Sequence, residues 1–290
     1  MIDLPAARTF LAAHGRLLDR SRFAMLADGE PAEPVLRALA AYANDDGGFG
    51  RALEPDVRDP RSQPLAVLSA FEVLEEAGAG DHPLALAALD WLGTVSADDG
   101  GLPFLLPSAT GAPCAPFLKP GDGSSFHMTA AVTAAALRLS DAARAHPWVA
   151  RATAFCWAHL PATRAHAFEV KYALEFLDAV PDADRAAAAL DALRPLIPRD
   201  RGLPVTGGIE GEELPLHVLS PRPGRSRALF DAGAVERALD AHAAAQHEDG
   251  GWDFDWLRWN PAVAWEWRGR LTAGAVALLR ENGRSVASAA

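Results

Sequence analysis

Asp249-Gly250-Gly251-Trp252 is the last of four related turns, after Asp46-Gly47-Gly48-Phe49, Asp99-Gly100-Gly101-Leu102 and Asp200-Arg201-Gly202-Leu203. Each sets an Asp, a Gly two residues on, and then a large apolar side chain. That Gly falls at 48, 101, 202 and 251, so the copies are offset by 53, 101 and 49 residues. Asp and Gly are turn formers for different reasons, one through a side-chain bond to the backbone and the other through access to positive φ. A turn recurring about every 50 residues, with one copy skipped, marks a repeat protein.

Outward from the turns the pattern is helical and of two kinds. Pro64 to Leu74, Phe126 to Leu139 and Leu271 to Leu279 are apolar or small nearly all the way round, as interior helices are. Val35 to Tyr42, Leu84 to Leu92 and Leu229 to Gln246 carry charge on one side and Leu, Val or Trp at helical spacing on the other, as outward helices do. An inner helix follows each turn and an outer helix leads to the next. No recurrent period-two runs compete with this reading. Both terminal segments, Thr9 to Leu18 and Leu271 to Leu279, keep a large apolar face, which an open stack would have to cap with polar residues. The expectation is one all-α domain over residues 1–290, a closed α/α toroid of five to six helical hairpins, with the last few residues frayed. Two irregular stretches rich in Pro and Gly, 103–125 and 204–225, read as lids or as disordered loops, and Leu105, Leu106, Phe117 and Leu118 are anchors for the first.

Composition excludes several classes of function. The chain of 290 residues is 50% apolar, enough for a sizeable core, yet it has no run of eighteen uncharged apolar residues to cross a membrane. Its start, Met1-Ile2-Asp3-Leu4-Pro5, has no basic leader or apolar stretch, so a cytoplasmic location is expected. Net charge is −11 and the lysines are Lys119 and Lys171 alone, which disfavours nucleic acid because no basic stripe neutralises phosphate. Cys114 and Cys156 stand without Cys-x-x-Cys spacing, which argues against a disulfide framework or a structural zinc. No Gly-x-Ser-x-Gly elbow, phosphate loop or dinucleotide fingerprint occurs.

Gln246-His247-Glu248-Asp249-Gly250-Gly251-Trp252 resembles the right half of the repeat motif of triterpene cyclases and protein prenyltransferase β-subunits, and Asp46-Gly47-Gly48-Phe49-Gly50 is similar to a weaker copy. The stretch from Asn44 to Gly50, then Leu53-Glu54-Pro55-Asp56 and Ser62-Gln63-Pro64, resembles small bacterial squalene-cyclase-like proteins of about this length. The resemblance implies an α/α toroid with a central apolar cavity, in which the motif Gln and Trp tie neighbouring helices at the rim. It implies a small apolar or isoprenoid-like ligand. The chain departs from the enzymes of that superfamily at two places. The nearest string to the Asp-x-Asp-Asp acid of class II cyclases is Asp253-Phe254-Asp255-Trp256, which lacks the last Asp, and no Cys keeps the company of a zinc ligand as in prenyltransferases or lanthionine cyclases.

Three constellations can carry chemistry. Trp252, Trp256, Trp259, Trp265 and Trp267, five of the eight tryptophans, lie within sixteen residues with Phe254 among them. Such a wall holds a cation or carbocation, a sugar face, or simply the rim of a barrel. Asp253, Asp255, Glu266 and Arg268 lie within it; an inward Asp255 is a general acid with a raised pKa, and the alternative is mutual pairing at the surface. Second, Glu54, Asp56, Arg58 and Asp59 follow the first turn, with Ser62 as an N-cap of the next helix. Glu54 and Asp56 suit an acid and base pair, or a divalent metal, though a metal needs more oxygen ligands than these two and none is expected. Third, Glu169, Tyr172 and Glu175 form a polar stripe on a helix otherwise read as interior, and His127 opens another such helix. The candidate catalytic residues are therefore Asp255, Asp56, Glu54 and Glu169. The candidate binding residues are Trp256, Trp259, Trp265, Trp267, Arg268, Phe254, Tyr172, His127 and Asp253. No cofactor is expected. Three functions follow: an enzyme cyclising or isomerising an isoprenoid-type substrate by acid catalysis, a carbohydrate-active enzyme using paired carboxylates, or a non-catalytic binder of an apolar ligand.

Overall fold

The computed structural model describes residues 2–162, 166–284 and 286. The fraying expected of the last few residues concerns positions outside them. The described residues are all-α but for two short ladders. In chain order the helices are α1 (Leu4–His14), α2 (Leu17–Phe23), α3 (Glu33–Ala40), α4 (Pro64–Glu76), α5 (Pro83–Val95), α6 (Phe126–Leu139), α7 (Asp141–Arg144), α8 (Pro147–His159), α9 (Ala167–Ala179), α10 (Ala183–Leu193), α11 (Leu216–Leu219), α12 (Ala232–Ala244) and α13 (Pro261–Glu281). The ladders are β1 (Leu102–Pro103) with β2 (Ser124–Ser125), and β3 (Leu203–Pro204) with β4 (Glu213–Leu214), both antiparallel. The chain divides into two compact units, Leu39–Ala189 and a terminal unit of Met1–Ala38 with Leu190–Ala290.

Helix starts follow local chemistry. Asp3, Asp231 and Asn260 cap α1, α12 and α13 through side-chain oxygens, and Ser125 caps α6 likewise. His82 and His146 accept from the amides of Leu84 and Trp148 to cap α5 and α8, each followed by a Pro at the first helical position. In the 39–189 unit, α6 is buried through most of its length and lies between α4 and α9, with α8 against α6 and α5 against both α4 and α8. This is the two-layer arrangement that the all-round apolar character of Phe126 to Leu139 calls for. In the terminal unit, α13 packs on α1, α2 and α12, around a core of Phe10, Leu11, Phe23, Trp252, Val276 and Leu279.

Three of the four turns share one geometry. The amides of Asn44, Ala97 and His247 reach the carbonyls of Gly48, Gly101 and Gly251, and the amides of Gly47, Gly100 and Gly250 reach back to Asn44, Ala97 and His247. Each Asp accepts from the Gly two residues on, at 2.9, 2.9 and 3.0 Å. Gly47, Gly100 and Gly250 hold φ of 90°, 88° and 92°, where any side chain is strained. The turns also sit tightly on the next helix. A Cβ on Gly47 would lie 2.8 Å from the Ala87 carbonyl oxygen of α5, on Gly100 2.7 Å from Arg151 of α8, and on Gly250 2.2 Å from the Ala6 carbonyl oxygen of α1. Thus the last turn uses the first helix as the earlier turns use α5 and α8. Gln246 reinforces this with an amide that donates to the Asp3 carbonyl (2.8 Å) and accepts from its N–H (2.7 Å).

The fourth copy departs from the others. Arg201 stands where they have the positive-φ Gly, and it is not among the residues with positive φ. Asp200-Arg201-Gly202 instead leads directly into β3. Ser62 does not cap α4: its hydroxyl donates to Asp46 (2.7 Å), and Gln63 stands at the N-cap. The last helix starts at Asn260-Pro261, ten residues before the expected Leu271, so Trp265 and Trp267 lie on α13.

Candidate functional site

The sequence after the first turn folds into a strained, largely buried corner. Arg51 and Ala52 hold φ of 55° and 61°, the two non-glycine residues with positive φ among the described residues. The Arg51 amide bonds the Asp59 carbonyl (3.1 Å) and its guanidinium bonds Asn44 (2.9 Å), which fixes the bend. Glu54, Asp56 and Asp59 follow, all buried. Glu54 Oε2 accepts from Ser69 of α4 at 3.0 Å. Asp59 takes the Arg61 amide, the Arg61 guanidinium and the Gln63 amide, so it serves turn and packing as its sequence context implies.

The stretch 103–125 is fastened to this corner. Gln63 accepts from the Leu106 amide (2.9 Å) and donates to Ser108 (3.0 Å), while Val57 pairs with Cys114 and the Asp56 carbonyl accepts from Ala115 (2.9 Å). Leu105 and Leu118 are buried anchors, but Phe117, expected as a third, is 50% exposed and Leu106 is only partly covered. With backbone and side chains tied at both ends, this stretch is packed structure and not an open lid.

Across α4, α6 and α9 runs a relay of charge. Arg138 near the end of α6 bonds Glu75 of α4 through Nε at 3.0 and 3.1 Å and approaches Glu175 of α9 at 3.7 Å. Glu175 in turn accepts from Lys171 at 2.6 Å. Burial by itself would lower the Lys171 pKa, but the carboxylates of Glu175 and Glu72, with Tyr172 beside them, outweigh it and the ammonium is held above its usual value. Burial raises the Tyr172 phenol, with Lys171 opposing and Glu175 and Glu72 adding. At the other end of α6, His127 is ringed by Phe104, Phe168 and Tyr172 at centroid distances of 4.9, 5.4 and 5.0 Å. Burial first, then Lys171 and His166, push this imidazole down to about 3, so it is neutral at ordinary pH. The expected stripe is thus real but larger: Glu169 and Tyr172 lie half-buried on α9, and Lys171, Arg138, Glu72 and Glu75 join Glu175 from three helices. Sequence spacing shows the members on one helix and cannot show the others.

The tryptophan run belongs to the terminal unit and separates into two groups. Trp265, 42% exposed, stacks on His14 at 4.3 Å and lies 6.3 Å from Phe10. Phe254, Trp256 and Trp267 form a second cluster, tilted at 4.5 Å and edge-to-face at 5.1 Å, flanked by Arg258 over Phe254 and Arg270 over Trp267. Trp259 lies half-buried, and Trp252 is buried in the core with its indole N–H on the His242 carbonyl (2.9 Å). Asp255, the expected acid, is exposed. It does not point inward against the aromatic rings, which is what the expected general acid requires. Asp253 is instead a salt-link residue: although burial raises its carboxyl, bonds from Arg258 and the Phe254 amide, with the Arg258 and Arg268 charges, hold it below the usual range. Arg268 is also structural. It is buried, bonds Asp249 at 2.8 Å and lies over the rings of Phe10 and Trp265, taking on the Asp-binding role of Ser62 and Ser124 in the other turns.

Among the described residues no group of three or more His, Cys, Asp or Glu side chains is placed to hold a metal ion. No helix among them is long and apolar enough to cross a membrane.

Fold and site define an all-α protein with helices organised by repeated Asp-Gly turns, and with a charged, aromatic-edged layer in its 39–189 unit. No family model matches the chain, and no curated protein matches it in sequence. Among solved structures it is similar to a protein from Actinoplanes, with 17% identity over 97% of this chain and 98% of that one, at a TM-score of 0.60. That likeness concerns the fold alone.

Proposed function

We propose that the chain is a closed α/α toroid, akin to the terpenoid cyclases and prenyltransferase β-subunits, that binds a carbohydrate-type ligand on the α4–α6–α9 layer and acts on it through Glu54 and Asp56. Closure is supported by the turn of Gly250 resting on α1 as those of Gly47 and Gly100 rest on α5 and α8. The enzymatic reading is carried by one observation: Glu54, 6% exposed, is delivered to Ser69 by two successive residues at positive φ. Each such residue costs about 1–3 kcal/mol and persists where its surroundings over-determine it, often at a working site. A rigidly held acid on the hydroxyl of Ser69 suits acid–base attack on an acetal, with Asp56 as second carboxylate.

An isoprenoid substrate is less well matched. Carbocation chemistry favours a dry aromatic chamber, whereas this layer carries Glu75, Arg138, Lys171 and Glu175 in mutual ion pairs, and Asp255 is exposed. The test offers the full chain neutral oligosaccharides and, separately, linear isoprenoids with and without diphosphate, with products read by mass spectrometry. The expected result is saccharide turnover that drops about 100-fold or more in Glu54→Gln with unchanged circular dichroism. Conversion of isoprenoids alone, or saccharide turnover indifferent to Glu54→Gln, overturns the reading.

A further inference from the structure

The carbohydrate-type reading leaves the charge of the ligand open, and His127 addresses it. Its ring is nearly parallel to Phe168 (10°), edge-on to Phe104 (73°) and tilted against Tyr172 (31°). Among the described residues neither of its nitrogens has a hydrogen-bond partner. Neither is among the sealed, unpartnered polar atoms, which are Trp148 Nε1, His217 Nδ1 and Trp267 Nε1. A neutral imidazole presents one donor and one acceptor. Leaving them unmade in a half-buried place costs about 1–3 kcal/mol, which water or a ligand must offset.

Both neighbouring cations are already engaged, Lys171 with Glu175 and Arg138 with Glu75 and Glu175, and Glu72 adds a further carboxylate acting on Lys171. An anionic ligand would have to break one of these pairs to gain a counter-charge. A ligand ammonium would meet the Lys171 ammonium, whose field already acts on His127. A hydroxyl, itself a donor and an acceptor, fits the imidazole, and an adjacent C–H face fits the rings of Phe104 and Phe168.

Resting on the carbohydrate-type reading, we infer that His127 with Phe104, Phe168 and Tyr172 is a specificity-determining subsite for an uncharged, hydroxyl-bearing sugar ring. His127 selects by hydrogen bonding, and the Lys171–Glu175–Arg138–Glu75 relay excludes both charged classes. The test measures, by ligand-observed NMR and calorimetry on the full chain, neutral methyl glycosides against their uronate and amino-sugar counterparts. It compares wild type with His127→Asn, which keeps a donor and an acceptor, and His127→Phe, which keeps the ring contacts and loses both. Neutral rings are expected to bind at least about 10-fold more tightly than either charged form, with about a 10-fold loss in His127→Phe that His127→Asn largely avoids. Where His127→Phe does not fold, the wild-type comparison and His127→Asn carry the test. Equal binding of neutral and charged rings, or full affinity in a folded His127→Phe, overturns this inference and leaves the carbohydrate reading in place; no saccharide binding at all removes both.

Discussion

Replacing Gly250 by Ala probes the contact on which the terminal unit depends. The residue sits at φ 92°, and a Cβ there would stand 2.2 Å from the Ala6 carbonyl oxygen and 2.9 Å from the Ala7 nitrogen, both backbone atoms of α1. Left-handed backbone costs an Ala about 1–2 kcal/mol. Overpacking against backbone, which moves only with the whole helix, adds about 1–3 kcal/mol. The sum, about 2–5 kcal/mol, is a large share of the roughly 5–15 kcal/mol that holds a typical protein folded. Gly29→Ala is the control in the same unit: φ there is 75°, yet nothing lies within 4 Å of the added Cβ, so only the dihedral cost applies. Urea unfolding followed by tryptophan fluorescence and circular dichroism should therefore place Gly250→Ala about 1–3 kcal/mol below Gly29→Ala. Gly47→Ala and Gly100→Ala should show a like excess, through Ala87 and Arg151. If Gly250→Ala and Gly29→Ala unfold together, the turn does not rest on α1.

Arg268→Ala removes an ion pair and the guanidinium over Phe10 and should cost about 2–4 kcal/mol in the same assay. The carboxyl of Asp249 is held low, burial opposing but the Gly251 amide and Arg268 prevailing; the stability it contributes is present above its ordinary 3.8 and is lost as pH falls through the lower folded value, a loss that should shrink in Arg268→Ala. The rings of His217 and His242 lie 4.4 Å apart, tilted at 36°, and burial, with His242 also acting on His217, pushes them down to about 3 and about 4. Between the ordinary 6.5 and those values the unfolded chain binds protons that the folded chain does not, so stability should fall as pH drops through that window, and His217→Leu should flatten the slope in a pH series of urea midpoints. Gln63→Ala loses the bonds to Leu106, Ser108 and Asp59 and should cost about 2–4 kcal/mol, with limited proteolysis shifting into residues 103–125.

Legibility in the sequence tracked how local each interaction is. The Asp-to-Gly bond and the positive-φ Gly are closed within four residues, so three turns could be read directly, and Asp200-Arg201-Gly202 could have been set apart because Arg does not readily take the Gly conformation. The early start of α13 is also written locally, in Asn260-Pro261, an N-cap followed by Pro at the first helical position. What spacing cannot supply is the partner on another element. Arg138 looks like an ordinary helix-end cation until Glu75 and Glu175 flank it from α4 and α9, and Arg268 looks like a ligand contact until Asp249 and Phe10 claim it. The same non-locality reverses the two acids singled out from sequence. Glu54 is buried because a left-handed bend at Arg51 and Ala52 carries it onto Ser69, while Asp255, set among aromatic residues in sequence, is exposed. A carboxylate's neighbours in sequence therefore say little about its dielectric surroundings. Only the backbone path decides that, and at Glu54 the path is one that the chain adopts at a cost.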